Sequence, residues 1–264
     1  MRYKPCTMKP IDIDIQMLSD DDVTLDQINK DWSLYQLKKG HRYSTDDLLT
    51  AWMAYDIAGD VDLHLDIGAG LGSCGLLALW RRPKESKLVM VEAQRISHEL
   101  AKRTIQYNKL QHRVEARYGD LRDSEVLPET DHFPLVTGTP PYFPVGTALT
   151  SPHPQRAACR MELRGNIFDY AMTAARVMHP DGWFVCCHVG TDPRTEAAMR
   201  EAGLYVLVRQ DVVFRQGKKP TLTIVACKRS PVRQRVDRPP LIIRDAKHAT
   251  LPRYDSIRMQ MGKP

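Results

Sequence analysis

The chain has 264 residues, of which 42% are hydrophobic and 27% charged, so it can bury a substantial core and has the composition of an ordinary globular protein. Its net charge of +6 mildly favours a polyanionic partner. No apolar run reaches the roughly 18 residues of a membrane span, and the start, MRYKPCTMKPIDIDIQ, lacks the apolar stretch of a signal peptide. Six cysteines form no CxxC pair. They read as reduced, mostly buried thiols of an intracellular, cytoplasmic protein with no metal site and no membrane association.

Residues 1–60 form a front extension, with seven aspartates packed into 12–31. Its end, TDDLLTAWMAYDIA, predicts a helix, and Ser44 with Asp47 three residues on has the spacing of a capping box. VDLHLDIGAG alternates apolar and polar residues before a glycine turn and predicts a strand ending near Asp66. LGSCGLLALWRR follows as a helix that Pro83 stops. Next come the strand KLVMVEA, the helix RISHELAKRTIQYNKL, and the strands VEARYGD and FPLVTG. GNIFDYAMTAARVMH predicts a helix that a Pro180-Asp181-Gly182 turn closes. WFVCCHV is a strand, PRTEAAMREAG a helix, and LYVLVRQDVVF and TLTIVACKR are two late strands joined by a short link.

Strand alternating with helix implies right-handed crossovers and a parallel sheet covered on both faces. The fold class is therefore α/β, a Rossmann-like, mostly parallel sheet with an antiparallel hairpin at its late edge. The expected division is 1–60 as an extension closing over a ligand, 61–230 as the main domain and 231–264 as a basic tail. The tail carries Arg233, Arg235, Arg238, Arg244, Lys247, Arg253 and Arg258.

Gly68-Ala69-Gly70-Leu71-Gly72 sits between strand and helix, where the backbone can approach a ligand closely. The dinucleotide fingerprint would place a glycine where Ser73 stands, and Asp66 just before the loop would repel a pyrophosphate. A carboxylate there suits the ammonium and sulfonium of S-adenosylmethionine (SAM). Glu92, with Ala93 beside it, ends the second strand and can accept ribose hydroxyls. Asp120 and the amide of Leu121 end the third and can read an adenine edge. Asp66, Gly68, Gly70, Glu92, Ala93, Asp120 and Leu121 are thus the candidate cofactor residues.

Thr139-Pro140-Pro141-Tyr142-Phe143 ends the fourth strand on the same rim. Prolines fix φ and carry no N–H, so nearby carbonyls stay open to a substrate amino group, while an aromatic ring can stack on a planar one. Methyl transfer from a sulfonium needs the acceptor nitrogen held in line, with no metal and no covalent nucleophile.

The series KKGHRYSTDDLLTAWMA, LDIGAGLGSCGLLAL, VEA, GD, TPPYF, PQRAACRMEL and LIIRD resembles the bacterial tRNA (adenine-N6)-methyltransferase family. That family belongs to the small-domain class I methyltransferases, which include release-factor glutamine methyltransferases. The resemblance spans about residues 36–250. It implies that Tyr43, Ser44 and Thr45 close over SAM from the front, that Thr139–Tyr142 hold the target base, and that Arg156 and Arg160 meet phosphate or pair with Glu162. The partner it implies is structured RNA, a tRNA or rRNA. A protein glutamine as the acceptor, or a non-catalytic SAM-binding partner subunit, is the alternative. Where the family has an asparagine, this chain has Thr139, whose shorter hydroxyl is a weaker acceptor.

Overall fold

A computed structural model describes residues 19–130, 132–231 and 234–263. Cys6 and Arg233 lie outside them. In front, β1 (Val23–Gln27) and β2 (Ser33–Leu37) pair antiparallel as a two-stranded ribbon that sequence reading did not find. It leads to α1 (Thr45–Ala58), the helix expected over TDDLLTAWMAYDIA. Asp47 accepts the Ser44 amide at 3.0 Å, satisfying an amide at the helix start.

The main sheet then builds from β3 (Leu63–Ile67), α2 (Ser73–Trp80), β4 (Lys87–Glu92), α3 (Arg95–Tyr107), β5 (Val114–Tyr118) and β6 (Phe133–Gly138). It continues through α4 (Pro154–Arg160), α5 (Ile167–Val177), β7 (Met178–Val189) and α6 (Arg194–Glu201). The last elements are β8 (Tyr205–Arg215), β9 (Leu222–Lys228), β10 (Val236–Arg244) and α7 (Pro252–Gln260). The eight strands run in the order β10-β8-β9-β7-β6-β3-β4-β5. Strands β3 to β7 pair parallel, and β9 runs antiparallel between β7 and β8.

Two expectations need correction. The hairpin β8–β9 forms, but it is not the edge: β10, from the expected tail, pairs parallel with β8 outside it. Pro239 and Pro240 cannot donate to a ladder, and an edge strand with a register shift between Arg238 and Leu241 accommodates them. The Pro180-Asp181-Gly182 segment does not separate helix from strand either. Met178 already pairs with Phe133 and Trp183 with Leu135, so the turn residues form an irregularity inside β7.

Two apolar layers cover the sheet. On one face α1, α2 and α7 bury Leu48, Met53, Leu77 and Ile257 against Val185, Ile224, Leu241 and Ile243. On the other, Tyr170, Ala171 and Ala174 of α5 and Ala198 and Met199 of α6 lie against Ile67, Val136, Phe184 and Val225. The carboxyl ends of β3, β4, β5 and β6 meet on one rim, where ligands bind in open parallel sheets.

Candidate active site

A cleft opens over that rim. From β3 and β4 it is lined by Gly68–Leu71 and Val91–Gln94, and from β5 and β6 by Gly119–Leu121, Thr139 and Pro141. From the front, His41, Tyr43 and Asp47 reach into it, and α4 and the segment after it add Ala158, Cys159, Arg164 and Gly165. Gly68 and Gly70 have φ of +59° and +57°, a region that favours glycine. A Cβ on Gly68 would run into the Tyr170 hydroxyl, whereas one on Gly70 would meet nothing. The loop is thus supported from below by Tyr170 and open on the side of Gly70. Glu92 braces it: one carboxylate oxygen accepts the Gly70 amide at 2.8 Å and the other the Gln94 amide at 2.6 Å. Burial raises the Glu92 pKa above the usual carboxylate range, partly offset by those amides. Each oxygen keeps a further lone pair for a hydroxyl.

Asp120 is held by Arg122 through contacts of 2.9 and 2.5 Å. Burial pushes its pKa up, but the bonds and charge of Arg122 prevail, so it is lowered and the carboxylate stays ionised. Arg164 donates to the Ala93 carbonyl at 2.6 Å and so ties the far wall to the end of β4.

The structure does not bring Asp66 to the cleft. It is 1% exposed, and its two oxygens are taken inside by Thr137 at 2.6 Å and the Gly75 amide at 2.9 Å. Thr137 in turn contacts His64 at 2.8 Å, so Asp66 belongs to a buried chain that fixes α2 under the glycine loop. Burial raises its pKa to about 7 despite those donors. The acid that lines the cleft from α1 is Asp47, buried beside Asp46. Burial first, and the Asp46 charge second, raise its pKa well above the usual range. Sequence reading assigned Asp47 only a capping role, although the acidic pair at the start of α1 was visible.

The corner after β6 is tied to α4. The amides of Tyr142 and Phe143 donate to the Arg160 carbonyl at 3.1 and 3.0 Å, and the Glu162 amide returns to Phe143 at 2.9 Å. No described residue hydrogen-bonds the carbonyls of Thr139, Pro140 or Pro141. Thr139 and Pro141 line the cleft; Pro140 is buried beneath. Tyr142 does not line it: its hydroxyl donates to Asp46 at 2.5 Å, and its ring packs on the core below α1. Ser44, Thr45 and Phe143 also stand outside the lining, and the Arg160 guanidinium lies 5.5 Å from the Phe143 ring centre. Arg156 donates to the Gly40 carbonyl at 3.1 and 2.8 Å, and Glu162 is held by Arg194 at 2.7 Å, so neither arginine pairs with Glu162.

A glycine cradle, a braced acid at the second strand end and an open proline corner thus lie together on one rim. The family model for the methyltransferase small domain matches residues 44–151, the span from α1 to the loop after the corner. Over those residues the chain is similar to the methyltransferase small domain. The chain is 29% identical over 188 residues to a tRNA1(Val) (adenine(37)-N6)-methyltransferase of Cronobacter sakazakii, covering 70% of this chain and 73% of that one. A protein of the same description from Pasteurella multocida is 26% identical, with 66% and 70% covered. Among solved structures, an Agrobacterium tumefaciens protein described as a predicted O-methyltransferase superposes with a TM-score of 0.61 at 21% identity, covering 83% of this chain and 98% of its own. Among the described residues, no cluster of His, Cys, Asp or Glu could hold a metal ion, and no helix is long and apolar enough to cross a membrane.

Proposed function

We propose that the chain transfers a methyl group from S-adenosylmethionine to the N6 amino group of an adenine in tRNA. When bound, the cofactor supplies an electrophilic methyl on a sulfonium; the chain's own residues bind and orient. In this reading the Gly68–Gly70 cradle and Glu92 hold the ribose side, and Asp120 with the Leu121 amide reads the adenine. Asp47, rather than Asp66, holds the amino-acid ammonium. A buried carboxylate pushed toward protonation by a like-charged neighbour is the group that gains most from a cation. Tyr43 closes the front, with the Lys263 ammonium 4.2 Å from its ring centre.

The observation that carries the acceptor assignment is that Thr139 and Pro141 line the same cleft as the cradle while no described residue hydrogen-bonds their carbonyls. Such a carbonyl, by accepting from the amino group, would help to orient the nitrogen toward a sulfonium methyl, and orientation of this kind is the main source of rate in a displacement that needs no acid or metal. Support for tRNA comes from what the relatives are named to act on, and from the chain's positive charge.

The test is transfer of labelled methyl from SAM into unmodified tRNA and into total protein, with nucleoside analysis of the labelled RNA. The expected result is N6-methyladenosine in tRNA and its loss in Glu92→Ala, whose SAM affinity should fall at least about tenfold with two hydroxyl bonds removed. Label in protein glutamine and none in RNA would overturn the assignment. Label in neither would leave a SAM-binding partner subunit.

A further inference from the structure

The corner has a weaker and shorter acceptor than the asparagine corner it resembles, because Thr139 stands in that place. The Thr139 hydroxyl lines the cleft without a hydrogen-bond partner among the described residues. Lining the same cleft is His41, from the segment between β2 and α1. Its backbone is fixed from α4. The Gln155 side chain, itself 1% exposed, accepts the His41 amide at 2.6 Å and donates to Ser97 at 3.1 Å. Arg156 grips the preceding carbonyl, that of Gly40, with two donors, and any side chain at Gly40 would strike Gln155 and Leu37. The ring itself hydrogen-bonds to no described residue.

Three charged groups face it: Asp46 from α1 favours the imidazolium, while Arg156 and Arg160 from α4 oppose it. Burial opposes it most, so the ring titrates below the usual imidazole range and is neutral at neutral pH. A neutral imidazole has one nitrogen free to accept.

Resting on the tRNA-adenine reading, we propose that His41 is a catalytic residue that replaces the missing asparagine, its ring nitrogen accepting a proton of the target amine beside Thr139 and the corner carbonyls. The amine lone pair forms the new N–C bond as the S–C bond breaks, and the sulfur keeps the electron pair as a neutral thioether. The nitrogen, now carrying the positive charge, passes its extra proton to His41, which returns it to solvent.

The test uses the full chain on unmodified tRNA, with His41→Ala, His41→Asn and Thr139→Asn singly and combined. His41→Ala is expected to lower kcat about 100-fold, within the range of general-base removal. S-adenosylhomocysteine affinity, read by calorimetry, should stay within about twofold, because the residue acts on the acceptor and not on the cofactor. In the Thr139→Asn background the same change should cost less than about fivefold, since the asparagine restores the acceptor. His41→Asn keeps an acceptor that does not titrate, so it should retain part of the rate and lose the acid limb of kcat. Equal losses in both backgrounds, or an acid limb that survives in His41→Asn, would overturn the inference while leaving the tRNA reading intact. A wild type that methylates no RNA would overturn both.

Discussion

At the scale of the residue, the contrast between two aspartates separates a buried structural acid from one that a cation in the cleft could reach. Asp66 spends both oxygens on Thr137 and Gly75, whereas Asp47 lines the cleft with its pKa raised by burial and by Asp46. A bound ammonium would lower the Asp47 pKa. Binding then releases a proton whenever the free protein carries one, and affinity rises with pH until it passes the raised pKa of the free form. S-adenosylhomocysteine affinity should therefore strengthen from acid toward neutral pH, and Asp47→Asn should weaken it about tenfold and flatten that slope, as calorimetry in buffers of different ionisation heat would show. The asparagine can still accept the Ser44 amide, so helix capping is preserved. An unchanged slope would remove Asp47 from the ammonium site. The glycine loop and Glu92 were legible in the sequence because a strand, a positive-φ turn and a helix dictate them within a few residues. The inward direction of Asp66 was not, because it depends on donors 9 and 71 residues away. His41 was invisible for a related reason: it stands in a segment with no periodicity, and only its grip by α4 gives it a place.

At the scale of the element, α4 works as a clasp. Gln155 and Arg156 hold residues 40 and 41, while the Arg160 carbonyl at its other end holds Tyr142 and Phe143. One short helix thus fixes the front strap and the proline corner relative to each other. The Arg156 bonds to Gly40 contribute about 1–2 kcal/mol after allowance for partial exposure. Arg156→Ala should open the strap without unfolding the sheet, so trypsin should cut at Lys38 and Lys39 severalfold faster, and S-adenosylhomocysteine should slow it again. An unchanged cleavage rate would mean that Gln155 alone holds the strap. Among the described residues, the helices α1, α2, α3, α5 and α6 and the main-sheet strands up to β9 fall where the hydrophobic pattern put them, whereas α4 and α7 were not expected. The exceptions have local causes. β1 and β2 are five residues each among clustered aspartates, and β10 carries a Pro-Pro pair that argues against a strand anywhere but an edge.

At the scale of the molecule, residues 236–263 are less a tail than a wall. Leu241, Ile243, Ile257 and Met261 are at most 3% exposed in the core under α1. Burial of four such side chains is worth about 6–12 kcal/mol, comparable with the whole stability of a domain of this size. A chain ending at residue 230 should accordingly fail to give a cooperative melt by circular dichroism, and a transition within about 5 °C of the full chain would refute this. Several basic residues of the expected tail are engaged: Arg235 pairs with Glu196 and Asp237, Arg238 with Asp56 and Arg258 with Asp255. Charge counted along the sequence could not reveal Glu196 and Asp56 as partners, which come from α6 and α1. The contacts of α7 reach the front as well, since Tyr254 stands 3.4 Å from Thr45 and Gln260 accepts the Trp52 indole at 3.2 Å. The helix that brings Asp47 to the cleft therefore rests on side chains 208 and 209 residues further along the chain. A nascent chain can pair β3 with β4 and β6 while α1 still has a bare flank, so α1 is covered only after α7 has emerged, and a product stalled before α7 presents that flank to chaperones.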